Sequence, residues 1–133
     1  MDAQCDDWPG HSVTAANVDL RIANNGTWMD AFQFGYPNDT TWNLVGQSFK
    51  LDVQLNPFDV IPLLTLSTAD GRIIVDDVNQ RVIHFNVTPS DIQTNLSPGT
   101  YVYDLVMFDS SNNIVPLMFG TLEVVQGVTY PTP

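Results

Sequence analysis

Two histidines, one cysteine and fifteen acidic side chains are what this 133-residue chain offers to acid–base, nucleophilic or metal chemistry. A nucleophilic hydrolase needs a Ser, Cys or Thr beside an imidazole base, with donors for an oxyanion. His11 stands in an unpatterned N-terminal stretch, and His84 alternates out of phase with Ile83 and Phe85, which points it to solvent. Neither is placed to act as a base. Gly46-Gln47-Ser48 is not a nucleophile elbow, because Lys50 stands where the second glycine belongs and a strand pattern follows where a helix is needed.

The carboxylates are fourteen Asp and a single Glu, Glu123. A glycosidase needs two of them in different environments, and no spacing in the chain singles out such a pair. Asp6-Asp7 and Asp76-Asp77 read as adjacent acids in solvated loops. Asp109, Ser111 and Asn113 have the alternate spacing of the first ligands in an EF-hand loop. Ile114 then replaces the required glycine and Gly120 the bidentate Glu, so a hairpin loop is expected there. A calcium site of another kind, drawn from Asp70, Asp76 or Asp77 at a sandwich end, stays open. One Cys and two distant His cannot close a four-ligand zinc site, and the isolated glycines build no phosphate-binding loop. No catalytic residue, cofactor or metal is assigned. Trp8, Trp42 and Tyr36 are the candidate partner-binding residues, since Trp8 and Trp42 fit no strand and aromatic side chains anchor interfaces or stack on sugars.

The segments that would position these groups read as strands. In Ser48 to Leu55, Phe49, Leu51, Val53 and Leu55 share one face while Lys50, Asp52 and Gln54 share the other. Thr27 to Phe34 places Trp28, Phe32 and Phe34 together, with Asp30 interrupting, and Arg81 to Val87 does the same with Ile83, Phe85 and Val87. Pro62 to Ser67 and Arg72 to Val75 flank Asp70-Gly71, a hairpin signal, and are expected either to pair or to turn a corner together. Gly99 to Phe108 and Ile114 to Val125 form an antiparallel hairpin across Asp109 to Asn113; Pro116 marks an edge or a bulge, and Gly120 allows a bulge. Thr88 followed by Pro89 starts one or two helical turns, which Asn95 to Gly99 ends. With Val18 to Ala23 as an opening strand, the chain is expected to be all-β, an Ig-like antiparallel β-sandwich of about eight strands. Residues 1–17 form an N-terminal arm, 18–129 the sandwich and 130–133 a short tail.

Charge excludes two classes of partner. Four Lys and Arg against fifteen acids give a net charge of −11, and Arg21, Lys50, Arg72 and Arg81 are scattered singly. Nucleic acid requires clustered cations, and an anionic bilayer would repel the chain. No apolar run is long enough to span a membrane, and the N-terminus lacks a basic and apolar leader, so a start in the cytoplasm is expected. Cys5, alone in the chain, makes no internal disulfide, which leaves a free thiol or an intermolecular bridge.

Leu96-Ser97-Pro98-Gly99-Thr100-Tyr101-Val102-Tyr103-Asp104-Leu105, a loop rich in Asp, Ser and Asn, Leu117 to Val124, and Gly127-Val128-Thr129 follow one another in the C-terminal half. Together with the Phe-alternating strands Trp28 to Phe34 and Phe49 to Leu55, this order resembles the small β-sandwich virion proteins of tailed phages, in particular those related to upper-baseplate and tail accessory proteins. The resemblance covers residues 27 to 129. It implies a non-enzymatic structural protein of the tail, baseplate or neck, located in the virion. Its partners would be other virion proteins or repeated copies of itself. A capsid decoration protein and a carbohydrate- or ligand-binding module are the alternatives.

Overall fold

A computed structural model describes residues 15–36 and 39–130. Among the described residues, nine strands and one helix follow in chain order: β1 (Ala16–Asn17), β2 (Leu20–Ala23), β3 (Ala31–Gln33), β4 (Ser48–Gln54), β5 (Leu64–Ser67), β6 (Ile73–Asp77), β7 (Val82–Phe85), α1 (Pro89–Asn95), β8 (Gly99–Phe108) and β9 (Ile114–Val125). Two sheets face each other. The larger has the order β1-β9-β8-β4-β5, with β2 also on β9, and the smaller has the order β3-β7-β6.

Period-two alternation sends one side of each strand into the space between the sheets. Phe49, Leu51, Val53, Tyr101, Tyr103, Leu105 and Met107 of the larger sheet meet Phe32, Ile73, Ile83 and Phe85 of the smaller in one buried cluster. Trp28 packs edge-on to Phe85 at 5.1 Å within the smaller layer, and Phe34 stacks on Phe49 at 6.3 Å across the two layers. Asp30, which breaks the alternation, accepts a bond from Trp28 Nε1 and splits the expected strand into a bridge at Trp28 and the short β3.

Several expectations are refined by tertiary contacts. The antiparallel order holds except at β1 and β2, which run parallel to β9 and bring Ala16 and Asn17 into the sheet. The runs beside Asp70-Gly71 do not pair: β5 belongs to the larger sheet and β6 to the smaller, so the turn is a corner between layers. Asp76 and Asp77 end β6 instead of lying in a loop. The bulge in β9 falls just after Pro116, where Leu117 has no partner on β8, and Leu117 and Met118 both turn into the core. Gly120 has a different task, because a Cβ there would lie 2.3 Å from the Val18 carbonyl oxygen as the chain passes from β1 to β2.

The helix forms as its caps require. Thr88 accepts from the Asp91 amide, Pro89 occupies the first turn, and Ile92 and the following Leu96 are buried.

Candidate functional site

The outward face of the larger sheet carries the alternate residues of β4, β8 and β9. Asp52 lies directly opposite Asp104, and Asp104 opposite Phe119; one row along, Val102 lies opposite Gln54 and Thr121. The crossing from β1 to β2 adds Asn17 and Asp19 on one side, and the connection after β4 adds Pro57 and Asp59 on the other. These residues line a cleft of about 760 Å³ with Asp19, Asp52, Asp59 and Asp104 around it and no Lys or Arg in its lining.

The four carboxylates are held differently. Asp19 accepts from the Thr121 amide and hydroxyl, both at 3.0 Å, which keeps its carboxyl below the usual carboxylate range. Asp52 accepts from the Thr65 hydroxyl at 2.6 Å, and Lys50 Nζ approaches it at 4.0 Å. Asp59 caps its own turn by accepting from the Asn56 amide. Asp104 is shifted upward, by partial desolvation first and by the facing Asp52 carboxylate second. The adjoining Tyr103 donates its phenol to the Val18 carbonyl at 2.6 Å, and burial pushes that phenol well above the ordinary tyrosine range.

Beside the cleft stands an apolar projection. The connection from β4 to β5 exposes Phe58 and Val60 at 93% and Ile61 at 81%, flanked by the more shielded Leu55 and Leu63. It is held in one shape by polar bonds. Gln54 Nε2 donates to the Asn56 and Asp59 carbonyls, Asp59 N donates to Asn56 O, and Leu63 N donates to Val53 O. Nothing in the sequence alternation marked this loop, because Leu55 continues the core-facing phase of β4 and the strand ends one residue before it.

Two of the three candidate aromatics, Trp42 and Tyr36, lie among the described residues. Trp42 is a correction: it is buried within the core cluster, where the Arg81 guanidinium lies 5.2 Å from the ring centroid, so it presents no face to a partner or a sugar. Tyr36 is exposed, and Trp8 lies outside the described residues, as do Cys5, His11, Asp6 and Asp7. His84 faces outward but is engaged, with Nδ1 at hydrogen-bond distance, 2.7 Å, from Asp76 Oδ2. Arg81, one of the scattered cations in the sequence, is fully buried. Its guanidinium donates to the carbonyls of Phe34, Tyr36, Asp39, Trp42 and Asn79, clamping the loop after β3.

Of the suspected calcium ligands, Asp70, Asp77 and Asp109 are spent within their own turns, and Asp76 is engaged by His84. Asp109 accepts from the Ser111 and Asn113 amides and the Asn113 side chain; Asp70 accepts from Ser67 and Arg72 amides; Asp77 accepts from Asn79 and Gln80 amides. Among the described residues no three His, Cys, Asp or Glu side chains converge as a metal site would require. A second pocket, of about 400 Å³, is lined by the amides of Asn24, Asn25, Gln93 and Gln126. Those amides are bonded mainly to one another and to nearby backbone, which knits the tail after β9 to the end of β2. No helix among the described residues is long and apolar enough to cross a membrane.

No protein-family model matches the sequence. No curated protein matches it either. Solved structures of similar shape include CopC from Methylosinus trichosporium OB3b, at 12% identity and a TM-score of 0.38 over 86% of this chain and 87% of that one. Extracellular domains 3–5 of Drosophila OTK align at 16% identity and a TM-score of 0.29, over 86% of this chain and 33% of that one.

Proposed function

We propose that this β-sandwich is a non-enzymatic structural protein of a tailed-phage particle, a tail, baseplate or neck accessory that assembles through protein–protein contacts. The observation that carries the assembly role is the exposed apolar projection Leu55 to Leu63, whose turn is hydrogen-bonded at Gln54, Asn56 and Asp59. Large side chains held in water by an ordered loop lose nothing on folding and gain burial only when a second surface covers them. The sequence order from Trp28 to Thr129 supports the phage setting. Function then lies in docking geometry, and the net charge of −11 keeps the unassembled subunit soluble.

Gradient sedimentation of lysate from producing cells tests this, with copies per particle counted by mass spectrometry. The chain is expected to travel with large particles, at a copy number that fits a tail component. Hundreds of copies per particle would indicate capsid decoration instead. Recovery only as the free chain would overturn the structural role.

A further inference from the structure

We infer that the projection Leu55 to Leu63 and the acidic cleft beside it form one docking surface, whose occupant is a partner protein segment carrying Lys or Arg next to apolar side chains. This deepens the assembly role proposed above and rests on it for its setting.

Two features adjoin. Phe58, Val60 and Ile61 stand almost wholly in solvent, and the loop bearing them also supplies Pro57 and Asp59 to the cleft wall. Across the cleft, Phe119 and Val102 provide apolar floor between Asp52, Asp104 and Asp19.

Charge complementarity selects the occupant. All four Lys and Arg of the chain are engaged elsewhere or lie outside the lining: Arg21 pairs with Glu123, Arg72 with Asp70 and Asp91, Arg81 is buried, and Lys50 reaches only Asp52, at 4.0 Å. The cleft thus keeps a surplus of negative charge, and a facing cation would relieve the Asp52–Asp104 opposition. A second copy would bring the same carboxylates face to face, and an anionic bilayer would repel them. A basic protein segment satisfies both halves of the surface, with the loop anchoring in an apolar socket and the cations entering the cleft.

The test is a titration of the full chain with three fluorescein-labelled synthetic peptides, alternating Lys/Leu, Lys/Ser and Glu/Leu, followed by anisotropy. The Lys/Leu peptide is expected to bind at least tenfold more tightly than either control. F58S/I61S should weaken it at least tenfold and D52N/D104N at least fivefold, with a shallower salt dependence for the latter. Cooperative melting of both variants, at a temperature no lower than that of the native chain, shows that the fold is intact. Equal binding of Lys/Ser, equal binding of Glu/Leu, or no binding of Lys/Leu overturns the inference. So does self-association of the native chain that F58S/I61S abolishes, which makes the occupant a second copy, or saturable binding to phosphatidylcholine/phosphatidylglycerol vesicles without peptide discrimination. If the chain sediments only as the free form yet discriminates the peptides, the virion setting fails and the docking chemistry stands. Incorporation into particles without peptide discrimination overturns the docking chemistry and leaves the virion setting in place.

Discussion

Arg81 satisfies five carbonyls from a backbone held at φ 60°, a left-handed conformation that a non-glycine residue adopts only when its surroundings enforce it. Lysine would keep the charge but cannot present donors in a planar fork, so several buried acceptors would lose their partner. R81K is expected to cost at least ~2 kcal/mol in urea unfolding; a loss below ~0.5 kcal/mol would show that the clamp is dispensable. At Asp104 the sign is opposite. Its carboxyl titrates higher in the folded state than in the unfolded chain, so its contribution to stability is most favourable at acid pH and declines as pH rises through that raised pKa. D104N should therefore stabilise the protein at pH 7 by about 0.2–1 kcal/mol and do little near pH 3. Equal effects at both pH values would refute the charge opposition with Asp52.

At the scale of elements, β9 is the strand on which the larger sheet is organised, because it pairs with β8 on one side and with β1 and β2 on the other. Gly120 lets the β1–β2 crossing lie against it, where the Val18 carbonyl also receives the Tyr103 phenol. A methyl group at Gly120 would meet backbone, which cannot swing aside as a flexible side chain can. G120A should lower stability by roughly 1–3 kcal/mol, and amide exchange should speed up in residues 16–23 before it does in β4 or β5. Uniform acceleration across both sheets would mean that the crossing is not a separable unit. The same crossing delivers Asp19 and Asn17 to the cleft, so a packing requirement at one glycine also sets one wall of the docking surface.

Over the whole molecule, the apolar side chains divide into a core that folding buries and a projection that it does not. F58S should leave thermal stability unchanged, to within ~0.5 kcal/mol, since its ring is 93% exposed. The same substitution should reduce nonspecific adsorption on a hydrophobic column. A marked drop in melting temperature would place Phe58 in the core and remove the docking role.

Strand periodicity, the Asp-rich hairpin loop and the Thr88-Pro89 helix start are local signals, carried by residues a few positions apart, and they determined the sandwich and most element bounds from the sequence by itself. Only the tertiary structure decided the rest. Trp42 and Arg81 look like surface residues because the partners that bury them lie about forty positions away in the chain. The facing of Asp52 and Asp104 is a matter of register between strands about fifty residues apart, and a shift of one position would have sent either side chain into the core. The apolar loop shows the same limit, since composition predicts burial for Phe58, Val60 and Ile61. Their exposure follows from their place in the turn that joins β4 to the edge strand β5, where no strand alternation turns them inward.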